Sequence, residues 1–134
     1  MNKMIRGGLP VAAAVMLLSG CAHVDRTSGT DSPSQAPATV EVSNHNWATI
    51  NVYAVRSSMR SRLGTVESNE TRTFRVPDTM IAGAGSIRLM ASPIGSTRTH
   101  MTDEILVRPG ERIEWNLENW LPMSSYAVYS GRVR

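Results

Sequence analysis

The sequence predicts an all-β domain over residues 39–134, a small two-sheet antiparallel β-sandwich of about seven to eight strands. Three observations predict it. From Thr39 onward apolar residues come in short alternating runs, turn residues separate those runs, and no segment keeps the three-to-four spacing of an amphipathic helix for long. Strands this short and this numerous would leave an apolar face in water if they formed one open sheet, so two sheets packed together are the expected solution. A small barrel is the alternative closure.

The elements follow in chain order. Val40 and Val42 alternate in a first strand, and Ser43 to Asn46 makes a polar loop. Thr49 to Arg56 places Ile50, Val52 and Ala54 on one face. Its other face, with Tyr53 and Val55, is also apolar, which predicts a central strand. Ser57 to Arg60 is read as a turn, and Leu63 and Val66 mark a third strand with Gly64 as a bulge site. After a turn at Glu67 to Glu70, the run Thr71 to Val76 brings Phe74 and Val76 inward, and Pro77 ends it. Pro77 to Gly85 is a long connection that carries Met80 and Ile81. Alternation then resumes at Ile87, Leu89 and Ala91 until Ser92-Pro93-Ile94-Gly95 turns the chain. A weaker stretch, Thr97 to Met101, leads into Ile105 and Val107. Pro109-Gly110 is a strong turn signal, with proline presetting one torsion and glycine tolerating the next. Ile113, Trp115 and Leu117 then alternate with Arg112, Glu114, Asn116 and Glu118 in the cleanest amphipathic strand of the chain. A last run around Tyr126 to Tyr129 either pairs at an edge or wanders.

Ahead of the domain the texture differs. Residues 1–20 have the layout of a secretory signal: Lys3 and Arg6 at the start, an almost unbroken apolar run from Leu9 to Leu18, and small residues at Ser19 and Gly20. The run is far shorter than the roughly 20 residues a membrane-spanning helix needs. Residues 21–38 are rich in Ser, Thr, Pro, Gly, Asp and Gln. They bury too little apolar surface to offset the entropy of ordering, and they read as a flexible tether that Pro33 and Pro37 extend.

Leu18-Ser19-Gly20-Cys21 resembles the bacterial lipoprotein box. The resemblance implies that Cys21 is acylated and becomes the first residue after cleavage, and several acyl chains on one residue make a stable membrane anchor. An ordinary signal cut that leaves a free thiol, or an uncleaved anchor, are the alternatives. Ala22 in place of aspartate implies, in a cell with two membranes, the outer membrane facing the periplasm. The domain itself resembles, in architecture only, immunoglobulin-like and transthyretin-like sandwiches and uncharacterised bacterial lipoproteins with a proline-glycine turn before a tryptophan strand. It lacks the Cys-Trp-Cys hallmark, and the resemblance implies no activity.

Removal of residues 1–20 leaves 114 residues, enough for one small domain, with 12 basic against 11 acidic side chains. The high pI of the whole chain therefore does not point to nucleic acid. Lys3 is the only lysine, so the mature chain has none for a phosphate loop, a Schiff base or a Ser-x-x-Lys pair. With Cys21 acylated there is no thiol nucleophile and no internal disulfide. No Gly-x-Ser-x-Gly elbow is present, and Gly83-Ala84-Gly85 lacks the third glycine of a dinucleotide loop. The histidines are too scattered for zinc spacing, and His100 with Asp103 and Glu104 is the nearest approach to a metal cluster. The expectation is a non-enzymatic envelope module with no cofactor, metal or catalytic residue, directed at another envelope protein or the cell wall. A small hydrolase assembled from distant residues and a self-assembling structural lipoprotein are the alternatives.

Two features suit binding. Arg60, Arg62, Arg72, Arg75 and Arg88 cluster around the middle strands, and forked guanidinium groups hold phosphates or carboxylates well. The plainer expectation is that they solvate the sheet and pair across strands. Trp47, beside His45 and Asn46, and Trp120, before Leu121-Pro122, are the aromatic candidates for stacking on a sugar or anchoring a partner. For these the plainer expectation is packing onto the end of the sandwich.

Overall fold

The computed structural model describes residues 7–8, 36–83 and 85–131, so Cys21, nearly all of the predicted signal and most of the predicted tether lie outside the described residues. Nine strands appear among the described residues: β1 (Thr39–Asn44), β2 (Ile50–Arg56), β3 (Met59–Val66), β4 (Thr71–Arg75), β5 (Ser86–Pro93), β6 (His100–Met101), β7 (Ile105–Leu106), β8 (Arg112–Leu117) and β9 (Ser125–Tyr129). One sheet has four strands in the order β4-β1-β8-β9, and the other has β3-β2-β5 with β6 and β7 both pairing to β5. Val40, Val42, Ile113, Trp115 and Leu117 from the first sheet meet Ile50, Val52, Ala54, Ile87, Leu89 and Ala91 from the second in a single buried core. Each fully buried aliphatic side chain of this size stabilises the fold by roughly 1.5–3 kcal/mol. The predicted two-sheet sandwich is the observed one, and β2 is central as its two apolar faces require.

One pairing departs from the expected antiparallel scheme. β1 and β8 run parallel, from Thr39 opposite Arg112 to Asn44 opposite Leu117, with β1 inserted between β4 and β8. Parallel neighbours need a long crossover, and here the crossover contains the whole of the second sheet together with β4 of the first. The short run at Tyr126 does pair, as edge strand β9 against β8.

The predicted turn at Ser57 to Arg60 is tighter than expected: Arg56 already pairs with Met59, and Ser57 takes a positive φ of 51°. β3 therefore includes Arg60. The expected bulge also occurs. Val52 faces Gly64 while Tyr53 faces Arg62, leaving Leu63 as the extra residue. That single insertion resolves a conflict in the sequence, because Leu63 and Val66 are three apart and would otherwise lie on opposite faces. With the bulge, Leu63 packs against the core, Val66 is buried, and Arg60 and Arg62 pair on the outer side with Val55 and Tyr53. Gly64 itself is needed for space. A Cβ there would run into Cε1 of Phe74 and lie 3.0 Å from its Cδ1, and this ring helps cover the edge between β3 and β4. Gly64→Val is expected to lower the unfolding free energy by about 1–3 kcal/mol through overpacking. Urea denaturation checks this, and an unchanged midpoint would mean the ring swings aside at no cost.

The connection after Pro77 holds a short helix, α1 (Asp78–Ile81), that alternation did not predict. Four residues are too few to show helical periodicity. Met80 and Ile81 are buried, and Arg56 Nη1 donates to the Thr79 and Met80 carbonyls at 3.3 and 3.4 Å, covering acceptors that a helix end leaves open. Between β6 and β7, Thr102 substitutes for ladder hydrogen bonds: its N–H donates to the Leu89 carbonyl and its Oγ1 accepts from the Leu89 N–H, each at 2.9 Å.

Candidate functional site

The parallel pairing of β1 and β8 decides what lies beside what. Both strands end at the same end of the sheet, so the loop after Asn44 and the connection after Leu117 emerge side by side. β2 begins and β5 ends at a shared register, Ile50 opposite Pro93, which brings the β5–β6 loop to the same end, where the Ile94 N–H donates to the Thr49 carbonyl.

Two buried asparagines lock these loops. Asn44 is 1% exposed, and its Nδ2 donates to the carbonyls of Ala48 at 2.9 Å, Val66 at 3.2 Å and Glu67 at 3.0 Å, while its Oδ1 accepts from the Asn46 N–H at 2.9 Å. Asn46 repeats the device one step on. Its Oδ1 accepts from the Ala48 N–H, and its Nδ2 donates across to the Glu118 and Asn119 carbonyls at 3.1 and 2.9 Å. The polar stretch Ser43 to Asn46, read from sequence simply as a loop, is thus a buried clamp between two segments more than seventy positions apart. The signal was present in the Asn-x-Asn spacing, since an Asx side chain bonds the backbone two residues on, but the second set of partners, Glu118 and Asn119, lies in the connection after β8, whose place beside this loop no local pattern records.

The clamp presents both tryptophans outward. Trp47 is 82% exposed and Trp120 is 70% exposed, so neither packs onto the sandwich end as the plainer expectation had it. Trp120 lines a cleft of about 510 Å³ walled by three segments: Asn46 and Ala48 from the β1–β2 loop, Pro93, Ser96, Arg98, Thr99 and His100 from the end of β5 through β6, and Asn119 to Pro122 from the β8–β9 connection. A 3-10 turn, Leu121–Met123, holds that connection, with Leu121 buried and the Ser124 Oγ accepting from the Glu118 N–H at 3.0 Å. Behind the cleft, the His100 ring lies 6.4 Å from the buried Trp115 ring at a tilt of 31°. Partial burial lowers the His100 pKa below its ordinary value, which favours the neutral imidazole at pH 7. No Asp or Glu is among the described lining residues.

The arginines separate into two groups. Arg60 and Arg88 flank Val55 on the outer face of the second sheet, and Arg62 lies beside Tyr53. The Arg60 guanidinium sits 5.1 Å from the Tyr53 ring centroid, while Arg62 Nη2 donates to Asn51 Oδ1 at 2.8 Å and Thr65 Oγ1 at 2.7 Å. Arg88 and Arg56 line a smaller cleft of about 270 Å³ with Glu104. Arg72 and Arg75 stand apart on β4 and are paired, with Glu70 and Asp78, both at 2.9 Å. Glu70 is held below the usual carboxylate range by the Glu67 N–H first and Arg72 second. On the outer face of the first sheet Arg112 bridges Glu41 and Glu114 and lies over Tyr129. Ion pairs with carboxylates just before and just after their own strand therefore account for the β4 arginines, rather than the cross-strand pairs expected, and the predicted patch reduces to Arg60, Arg62 and Arg88.

No protein-family model matches the chain, and no curated protein matches it. Among solved structures the chain is similar to the NMR structure of a protein from Eubacterium rectale, at 12% identity and a TM-score of 0.44 over 79% of this chain and all of that one.

His100, Asp103 and Glu104 do not converge on one point among the described residues. Glu104 Oε1 accepts from the Ser86 hydroxyl, His100 faces Trp115, and no group of three His, Cys, Asp or Glu converges among the described residues. His45 is exposed in its loop, where its N–H donates to the Leu117 carbonyl at 2.8 Å. The residues sequence reasoning missed are Arg98, Thr99 and Asn119, which carry no motif and become neighbours only through the crossover.

Proposed function

We propose that this chain is a cell-envelope lipoprotein, anchored in its membrane through acylated Cys21, whose β-sandwich serves as a non-enzymatic interaction module towards the cell wall or another envelope protein. Leu18-Ser19-Gly20-Cys21 supports the anchor, and the polar sequence after Cys21 supports a domain held at a distance from the membrane, with the fold beginning by Ala38, which is buried in the core and accepts from the Val76 N–H. The observation that carries the binding half is the pair of exposed tryptophans displayed at one end by a buried asparagine clamp. Water-exposed indoles held on a rigid frame leave apolar surface uncovered in the free protein, and a partner that covers it gains the burial.

The hydrolase alternative needs a histidine beside a carboxylate and a hydroxyl. His100 has Ser96 and Thr99 beside it in the cleft lining, and the carboxylate is missing from the described lining residues. Cys21→Ala tests the anchor. The variant is expected to lose the lipid mass and to leave the membrane fraction while keeping its fold. A variant that stays membrane-bound with unchanged mass overturns the lipoprotein reading.

A further inference from the structure

Trp120, Arg98 and Asn119 on the wall of the end cleft make a set of groups that the fold does not use. We infer that the cleft binds an acidic saccharide, an amino sugar unit bearing a carboxylate, with Trp120 as the stacking platform and Arg98 as the carboxylate ligand. The inference rests on the proposed envelope location for its biological setting, but the geometry stands separately.

Each part of such a ligand has a counterpart. The C–H face of a pyranose is apolar and flat enough to lie on an indole, and Trp120 offers one that is 70% exposed. A carboxylate needs a forked cation, and Arg98 is exposed with no described carboxylate paired to its guanidinium. Among the described residues no acidic side chain lines the cleft to repel an anion, and the neutral His100 imidazole offers a further polar contact. The side-chain amide of Asn119 bonds no other described residue, which leaves it for ring hydroxyls or an acetamido group, whereas the Asn46 amide is spent on holding the wall. At about 510 Å³ the cleft falls in the size range of small-ligand sites and takes about two sugar rings. The wall is also preformed, since the clamp and the Leu121–Met123 turn fix it without a ligand, and preorganisation lowers the cost of binding.

The experiment is calorimetric titration of the full chain in detergent with three probes: a β-1,4-linked disaccharide of N-acetylglucosamine and N-acetylmuramic acid, the neutral disaccharide of N-acetylglucosamine, and a tripeptide with a free terminal carboxylate. The acidic disaccharide is expected to bind about tenfold more tightly than the neutral one at low ionic strength. Trp120→Ala is expected to weaken both disaccharides about tenfold, and Arg98→Gln to weaken the acidic one alone by about tenfold. Both side chains are exposed, so near-ultraviolet circular dichroism should show the fold intact in each variant. No binding of either disaccharide at millimolar concentration, binding indifferent to both substitutions, or a preference for the tripeptide each overturns the inference. None of these outcomes touches the anchor, which Cys21→Ala decides independently.

Discussion

Asn44→Asp is expected to cost about 3–5 kcal/mol at pH 7, a large part of the roughly 5–15 kcal/mol that holds a domain of this size together. The two side chains have the same shape, so packing is preserved and only the donors are lost. In the native protein the Asn44 amide faces the carbonyls of Ala48, Val66 and Glu67 from a site that is 1% exposed. A carboxylate there would place negative charge against three carbonyl oxygens in a dry site. Burial and those oxygens both disfavour the charged form, so the aspartate pKa would be raised in the folded state above its unfolded value of about 3.9. The sign follows: the charge-linked part of the loss is absent below the unfolded pKa, grows as pH rises above it, and is complete once pH has passed the folded one. Urea denaturation of variant and parent, compared at pH 4 and pH 7, should give a smaller deficit at the lower pH. One protonated oxygen supplies a single donor, so recovery is partial. Equal deficits at both pH values would show that the amide donors are not what the clamp depends on.

The second large effect concerns Trp115, the largest fully buried side chain in the core. Trp115→Ala is expected to lose about 3–5 kcal/mol, through the removed contacts and the cavity left between the sheets. Trp115→Phe is expected to lose only about 1–2 kcal/mol, because the indole Nε1 is buried with no hydrogen-bond partner among the described residues. Removing that N–H breaks no bond and relieves a desolvation cost that partly offsets the lost ring. The comparison is made by the same denaturation method, followed by circular dichroism because the probe residue is a tryptophan. A phenylalanine variant as unstable as the alanine one would mean the indole N–H is satisfied after all, and that the site is more polar than its neighbours suggest. His100, tilted beside this ring, links the core to the end cleft. Either substitution therefore also bears on how firmly the cleft wall is backed.

The charge layout of the two sheets has a consequence for any partner. The outer face of the first sheet pairs Arg112 with Glu41 and Glu114, so its charges are internally compensated. The outer face of the second sheet presents Arg60, Arg62 and Arg88 with no described carboxylate in an ion pair to them. An anionic surface would be drawn to the second face, and the attraction would fade at high salt.

Local sequence determined a great deal here, and the reason is that a strand records its buried face in every second residue. Ile113, Trp115 and Leu117, or Ile50, Val52 and Ala54, are buried whichever strand they pair with, so the all-β class, the two-sheet solution and most strand positions could be read directly. A bulge in β3 was also legible, because Gly64 marked it, though the pairing shows the extra residue to be the neighbouring Leu63. Helix α1 was not legible, being shorter than the period that would have revealed it. Pairing between distant strands leaves no mark in either strand alone. Only the tertiary structure decided that β1 lies parallel to β8, and with that choice it set Asn46 against Glu118 and Asn119, and Arg98 across a cleft from both asparagine-held loops. Alternation fixes which way a side chain points, but what it points at depends on a crossover of some seventy residues, whose route is selected by the packing of the whole core.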